Sequence, residues 1–474
     1  MGKTSVFPVT YSRSSPHTPK TDHCAKLRPV FRLAQGNHRL KVIPRDQHCI
    51  SRKNISDGAL KVMARLRSSG HQAYLVGGAV RDLLLGGHPK DFDVATDATP
   101  EEVHGIFRNS RIIGRRFRIV HVRFGREVIE VTTFRGHHDS EPESGRGKAS
   151  HQSDQGLLLR DNVFGTLEED AVRRDLTVNA LYYDAASFAV YDHVHGMEDL
   201  QHRTVCIIGD PEVRFREDPV RMLRAARFAA KLEFAIDADT AAAIPRCAHL
   251  LREIPSARLF DEFLKLFFSG YAERTLQQLL ENDLLRYLFP DSDYELRQDS
   301  VALALVQAAM RSTDQRIQAD KSVTPAFLLA ALLWPVTDRL AAQLRDRGDP
   351  PMTAMHSASQ QVIASALQTL AIPRRFSMPM REIWEFQLRL QRGNTRKARE
   401  LLQNRRFRAA YDFLLLREQA GEETGDVGTF WTELQSLPEN QNLPIIDTGS
   451  EEADDGPGGR PRRRRPRKRR PATS

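Results

Sequence analysis

The chain has 474 residues and a formal net charge of +9; residues 460–470 alone hold eight Arg and one Lys, so the excess sits in a tail suited to a polyanion and the rest is balanced. A hydrophobic content of 40% supports a sizeable core and, at this length, roughly three domains, which excludes a chain disordered throughout. The cysteines (Cys24, Cys49, Cys206, Cys247) lack the paired spacing of a disulfide framework or zinc site, and no apolar run of about 18 residues is present, so no membrane-spanning segment is expected.

Residues 1–53 are basic, polar and without sustained periodicity, and read as a flexible arm. Asp22, Asp46 and the lack of an amphipathic Arg helix argue against an organellar transit peptide. Order is expected from Ser56, which can cap a helix to Arg67 with Leu60, Met63 and Leu66 on one face and Gly70 as its stop. The rest of the chain is organised around the stretch Leu75 to Val94, LVGGAVRDLLLGGHPKDFDV. An apolar strand, Ala73 to Val76, meets Gly77-Gly78, then a short helix with Leu83, Leu84 and Leu85, then Gly86-Gly87 as its stop. Paired glycines let backbone N–H groups approach a polyphosphate, and the helix start adds the positive end of its dipole. On the next strand Asp91 and Asp93 share a face while Phe92 turns to the core. Two such carboxylates repel unless a cation sits between them, for paired Asp oxygens usually Mg²⁺. A tight turn or a solvated strand end explains either half alone; together, with Arg81 between them, they read as a nucleoside triphosphate and metal site.

Thr99-Pro100-Glu101-Glu102 has the parts of a capped helix start, which assigns it and Asp97 to structure. Phe117–Phe124 and Val128–Phe134 alternate as strands around Gly125-Arg126, a hairpin beside the acidic strand with Glu130 at its centre. This order argues an α+β head over 54–205 with a small mixed sheet, not a doubly wound one. Residues 136–155 read as a polar loop in which His137 and His138 lack partners at metal-ligand spacing. RRDLTVNALYYD comes after it, with Asp175 beside two arginines and Asn179 four residues on, the same face of a helical turn. In EDPVRMLRAARFAAKLEF, from Glu217, Arg221, Arg224 and Arg227 form a basic stripe on a helix whose duller reading is a solvated face. A helical neck (206–270) and an all-α body (271–436) come next, with Pro325–Trp334 as bundle core. Near the end of the body Arg405, Arg406 and Arg408 interleave with Phe407 and Tyr411, a pattern compatible with single-stranded RNA and equally with a packed helix bearing a charged rim. Residues 437–474 read as a disordered linker and Arg-rich tail, whose Arg463, Arg464 and Arg465 are further RNA candidates.

GGAVRDLLLGGHPKDFDV resembles the signature of the DNA polymerase β-type nucleotidyltransferases, within the class II group that holds bacterial poly(A) polymerases and tRNA CCA-adding enzymes. RRDLTVNALYY is similar to the second motif of that group. The resemblance implies that Asp175 completes the catalytic set of Asp91 and Asp93, with Glu130 as second choice, and that Arg174 and Asn179 hold the nucleotide. The Glu217–Phe234 stretch resembles the motif in which an Asp and an Arg, here Asp218 and Arg221, read the Watson–Crick edge of the base while further arginines, here Arg224 and Arg227, take the triphosphate. LLLRDNVFGTLEEDA resembles a segment found in the poly(A) polymerases and usually absent from CCA-adding enzymes, and the likeness runs from about Val42 to Glu418.

The resemblance implies a polymerase β-like head on an all-α neck, body and RNA-binding region. It implies a polynucleotide adenylyltransferase that moves AMP from ATP to RNA 3′-hydroxyls without a template, releasing pyrophosphate. Asp91 and Asp93 would hold two Mg²⁺ ions, and Gly77, Gly78 and Arg81 would position the phosphates. A monomer in the bacterial cytoplasm, with RNA-decay machinery as a partner, is expected on the same ground. The alternatives are a tRNA CCA-adding nucleotidyltransferase and a non-catalytic RNA-binding protein on a decayed transferase head.

Overall fold

The computed structural model describes residues 40–114, 118–136, 150–152, 158–161, 163–391 and 395–437. The strands among them are β1 (Lys41–Ile43), β2 (Ala73–Val76), β3 (Asp93–Thr96), β4 (Ser110–Ile113), β5 (Ile119–Phe124), β6 (Glu127–Thr133), β7 (Ser150–Gln152), β8 (Leu158–Asp161), β9 (Leu181–Asp184), β10 (Ala189–Asp192), β11 (Thr204–Val205) and β12 (Ala235–Ile236). Eight of them make one mixed sheet in the order β1-β10-β9-β2-β3-β6-β5-β4, where β3 and β6 are the parallel pair and all other neighbours run antiparallel. β7 and β8 form a small hairpin, and β11 pairs with β12.

Around and after the sheet come α1 (Asp57–Ser68), α2 (Gly78–Leu84), α3 (Pro100–Ile106), α4 (Leu167–Arg173), α5 (Gly196–His202), α6 (Pro211–Glu217), α7 (Val220–Leu232), α8 (Ala238–Cys247), α9 (Ser256–Phe267) and α10 (Ala272–Glu281). The body continues with α11 (Pro290–Gln298), α12 (Ser300–Gln318), α13 (Pro325–Asp346), α14 (Pro351–Thr369), α15 (Arg374–Leu390), α16 (Thr395–Leu402), α17 (Phe407–Ala420) and α18 (Val427–Ser436). The architecture is the expected one: an α+β head with a mixed sheet, then helices.

The local signals explain most element starts. Ser56 accepts the N–H of Ala59 to cap α1, and Thr99 with Glu102 closes a capping box on α3. Gly125 at φ +62° makes the two-residue turn from β5 to β6. One hydrophobic core runs from the head through the neck into the body, and a second joins Phe386 and Leu390 of α15 to Phe407, Tyr411, Phe430 and Trp431.

One expectation changes. The arm does not extend to residue 53: β1 is the edge strand on β10, and Ile43 and Ile50 are buried. Isolated buried isoleucines among polar neighbours leave no periodic signal. Within Glu217–Phe234, α6 ends at Glu217, Asp218 is extended, and Pro219 opens α7. Helix α13, 22 residues, is long and apolar enough to cross a membrane by length and composition, but 61% of its apolar window is buried inside the body, where it packs as core. His137, His138, Arg463, Arg464 and Arg465 lie outside the described residues.

Candidate active site

The site begins where β2 gives way to α2. Gly77 has φ +74° and ψ −137°, a conformation that needs glycine, and it turns the chain off the strand so that α2 starts at Gly78. In register, Asp93 stands opposite Val76 of β2 on one side and opposite Glu130 of β6 on the other. Asp91 lies just before β3 and is exposed, and Phe92 between the two acids is buried, so the acids share a face as the alternation requires.

Asp91, Asp93 and Glu130 are three hard oxygen donors on one side of the sheet. Burial, followed by the charge of Glu130, pushes Asp93 up to about 6 against the opposing pull of Arg174. Glu130 Oε1 is 3.2 Å from Nε2 of His121, its cross-strand neighbour on β5. An acid that resists ionisation beside two more fits a hard divalent cation such as Mg²⁺. Among the described residues no three His, Cys, Asp or Glu side chains are grouped closely enough to hold a metal ion as they stand.

Asp175 does not join that set. Its Oδ2 accepts from Arg224 Nε at 2.5 Å and its Oδ1 from the Leu176 N–H at 2.8 Å. Burial alone would raise its pKa, but the charge and hydrogen bond of Arg224 outweigh that and hold it below the usual carboxylate range. The β3–β6 register therefore favours Glu130, the second choice from sequence, over Asp175. Asn179 likewise parts from Asp175. It ends a single 3₁₀ turn, Thr177–Asn179, and its Oδ1 accepts from Arg81 Nη1 at 2.5 Å.

Arg81 is 1% exposed. Its Nε and Nη2 donate to Asp82 Oδ1 at 2.8 and 2.6 Å, and its guanidinium lies 5.1 Å from the Phe228 ring centroid on α7. It braces the head against the neck and holds Asn179, so the direct phosphate contact expected of it gives way to a bracing one. Two cations stand at the glycine turn: Arg174 Nη1 lies 3.7 Å from where a Cβ would stand on Gly77, and Arg81 Nη2, already bonded to Asp82, lies 3.4 Å from that position on Gly78.

The neck arginines are turned inward, against the reading of a solvated stripe. Arg221 donates to Glu217 at 2.7 Å and to the Arg214 carbonyl at 2.8 Å, and Asp218 is paired with Arg258 of α9 at 2.7 Å. Both expected base readers are thus held by protein partners. Arg224 pairs with Asp175, while Arg227 Nε is buried with no hydrogen-bond partner and its guanidinium stacks 4.5 Å over Phe228. Burial, then the charge of Arg224, lowers the pKa of Arg227. A half-buried cation with an unused, buried donor fits an anionic ligand group.

Of the RNA candidates, Arg406 is paired with Glu382, Arg405 stands 78% exposed 3.7 Å from Glu382, and Arg408 is 73% exposed and paired with Asp412 at 3.0 Å. Phe407 and Tyr411 stack on each other in the second core, so they are not platforms for bases.

Several working residues went unnoticed in the sequence. Asp170 grips Arg174, Arg214 Nη2 donates to the carbonyls of Arg173 and Arg174 at the end of α4, and Arg258 anchors Asp218. Burial lowers Arg214 to about 10. Asp170 and Arg174 are four apart on a helix, a spacing that flags an ion pair; Arg258 gives no local signal.

Comparison with known proteins separates the candidate readings. The family description "Poly A polymerase head domain" matches residues 73–206, "Probable RNA and SrmB-binding site of polymerase A" matches 233–296, and "Polymerase A arginine-rich C-terminus" matches 347–470. The Poly(A) polymerase I of Salmonella typhimurium is 48% identical over 437 residues, 91% of this chain and 93% of the relative. A CCA-adding enzyme of Bacillus pumilus is 39% identical over 243 residues, 51% of this chain and 57% of the relative. Among solved structures, the Bacillus stearothermophilus CCA-adding enzyme in complex with CTP superposes with a TM-score of 0.55 at 26% identity, over 80% of this chain and 82% of that one. Sequence likeness to the Bacillus pumilus CCA-adding enzyme thus covers about half of the chain, whereas sequence likeness to the poly(A) polymerase runs through head, neck and body, and the chain belongs to the bacterial poly(A) polymerase I family of nucleotidyltransferases.

Proposed function

We propose that the enzyme lengthens RNA 3′ ends by template-independent transfer of AMP from ATP with release of pyrophosphate, and that Asp91, Asp93 and Glu130 form its catalytic face. The observation that carries this reading is Asp93, paired in register with Glu130 one residue across from the glycine turn and raised to about 6 by burial and by the charges of Glu130 and Asp91, with the Arg174 charge next to it. Asp91 and Asp93, with Glu130, would hold two Mg²⁺ ions. Such ions, when bound, lower the pKa of the attacking 3′-hydroxyl and offset the charge that develops on the leaving pyrophosphate.

The chain's own groups do the positioning. The N–H groups at Gly77 and Gly78 and the free Nη1 of Arg174 flank the triphosphate, and Arg227 supplies an unpaired donor from the neck. Arg81 and Asn179 hold the turn in place, and the Asp175–Arg224 pair ties the second motif to α7. Asp218 and Arg221 read the adenine edge from positions fixed by Arg258 and Glu217. The head spans residues 40–205, the neck 206–270 and the body 271–436; RNA runs along the neck and body, with Arg405, Arg406 and Arg408 at its rim. The match of an RNA-site description to residues 233–296 supports that path.

The protein works as a monomer in the bacterial cytoplasm and supplies substrates to RNA-decay machinery. The relatives are bacterial. A run of added A gives an unpaired 3′ end on which a decay nuclease can start. Incubating the purified chain with RNA and each nucleoside triphosphate separately tests the reaction. Long A tails on generic RNA are expected; a requirement for CTP and a tRNA end, with arrest after a few additions, would mark a CCA-adding activity instead.

A further inference from the structure

Arg174 meets the glycine turn through a buried assembly centred on Tyr182, a residue of the RRDLTVNALYY stretch to which the sequence assigned no role. Tyr182 lies on β9 directly opposite Val76, the residue before Gly77, and is fully buried. Arg174 Nε donates to the Tyr182 hydroxyl at 2.9 Å and to Asp170 Oδ2 at 3.2 Å, and its Nη2 donates to the same carboxylate oxygen at 3.0 Å. The Tyr182 hydroxyl donates to Asp170 Oδ2 at 2.6 Å, and the Arg174 guanidinium lies 5.2 Å from the Tyr182 ring centroid. Asp170 is itself fixed, its Oδ1 accepting the Arg135 N–H at 3.2 Å.

The geometry of the fork decides what remains. Guanidinium is planar with donors in fixed directions, so a side chain whose Nε and Nη2 are held by the protein presents Nη1 in one direction only. That direction is the turn at Gly77, 3.7 Å from the Cβ position, beside Asp93. Burial holds the Tyr182 phenol well above its usual pKa, so it stays protonated and both accepts from Arg174 and donates to Asp170. Phenylalanine keeps the ring and can do neither.

We infer that Tyr182 and Asp170 are positioning residues that aim Arg174 Nη1 at the triphosphate of the incoming nucleotide. This rests on the proposed role of Arg174 as a phosphate contact, so the test separates the two. A buried ion pair that only stabilises the fold would weaken every ligand alike. A pair that aims a phosphate donor weakens polyphosphate and spares the nucleoside.

The experiment measures binding of inorganic tripolyphosphate, at fixed Mg²⁺, and of adenosine to the full chain by calorimetry. The variants are Tyr182→Phe, Arg174→Ala and the double substitution, with melting curves confirming that each is folded. Losing one hydrogen bond that orients a charged donor is expected to weaken tripolyphosphate about tenfold in Tyr182→Phe. Adenosine should bind as before, and the double variant should be no weaker than Arg174→Ala alone, because both changes act through one group. Asp170→Asn, which keeps the side-chain shape, is the second variant and should show the same selective loss if Tyr182→Phe does not fold. Tripolyphosphate binding within twofold of the parent in Tyr182→Phe, with Arg174→Ala impaired, overturns this inference and leaves the role of Arg174 intact. Unchanged binding in Arg174→Ala overturns the phosphate role and this inference with it.

Discussion

The arginines of α7 and those leading into α17 stand beside aromatic residues in much the same way, yet they sit in opposite surroundings. On α7, Arg221 and Arg224 are committed to Glu217 and Asp175, and Arg227 lies half-buried over Phe228 with its buried Nε unused. At α17, Arg405 and Arg408 stand in solvent with acidic partners on the surface, and the aromatic residues beside them have withdrawn into the core. Arginine density therefore says little until burial and counter-charge are known. In water an ion pair is worth little and is easily exchanged; inside the neck each missing or extra charge is felt.

The largest expected effect falls on the acids of the head. Asp93→Asn should lower adenylate incorporation by about 10³-fold, the equivalent of several kcal/mol of lost charge stabilisation, while RNA affinity measured by filter binding stays within about twofold. Asp175→Asn should act differently, by stability: it leaves Arg224 without its partner and should cost about 2–3 kcal/mol in denaturant unfolding, below the full cost for a buried pair because Arg224 keeps some exposure. If Asp175→Asn instead left stability unchanged, the neck would be no different from the rim.

The acid limb of the stability profile carries the same contrast. Burial raises Asp175, but Arg224 overrides it, so the folded pKa lies below the unfolded one. The stabilisation is then fully present above the ordinary value near 3.8 and is lost as pH falls below it. Melting temperatures of the parent should drop more steeply than those of Asp175→Asn through that window. Next in size, Arg227→Ala should raise KM for ATP about tenfold, as expected when a charged hydrogen bond to phosphate is removed, with little change in melting. Smallest is Arg408→Ala: a stability change of about 1 kcal/mol or less and a fall of about one in the slope of log affinity for RNA against log salt.

Much of this site was legible because its signals are local. The glycine turn, the alternation through Phe92, the capping box at Thr99 and the Gly125-Arg126 hairpin each declare themselves within a few residues. Partners far apart in sequence did not. Asp175 and Arg224 are 49 positions apart, so nothing near RRDLTVNA reveals that its acid is spent on the neck. Glu130 became the better third carboxylate only once β6 was seen to run parallel to β3 with Glu130 opposite Asp93. The aromatic residues at 407 and 411 misled for a related reason: helical spacing cannot say whether a ring faces RNA or Trp431.

The identity of the third carboxylate is decided by titrating Mg²⁺ against ATP incorporation into RNA in Glu130→Gln and Asp175→Asn, each assayed at a temperature where it is folded. Glu130→Gln is predicted to melt like the parent but to need at least about tenfold more Mg²⁺ for half-maximal activity, as for loss of one ligand to a hard cation. Asp175→Asn should keep the parent's Mg²⁺ dependence. A parent-like Mg²⁺ curve for Glu130→Gln, with the shift appearing in Asp175→Asn, would contradict this assignment.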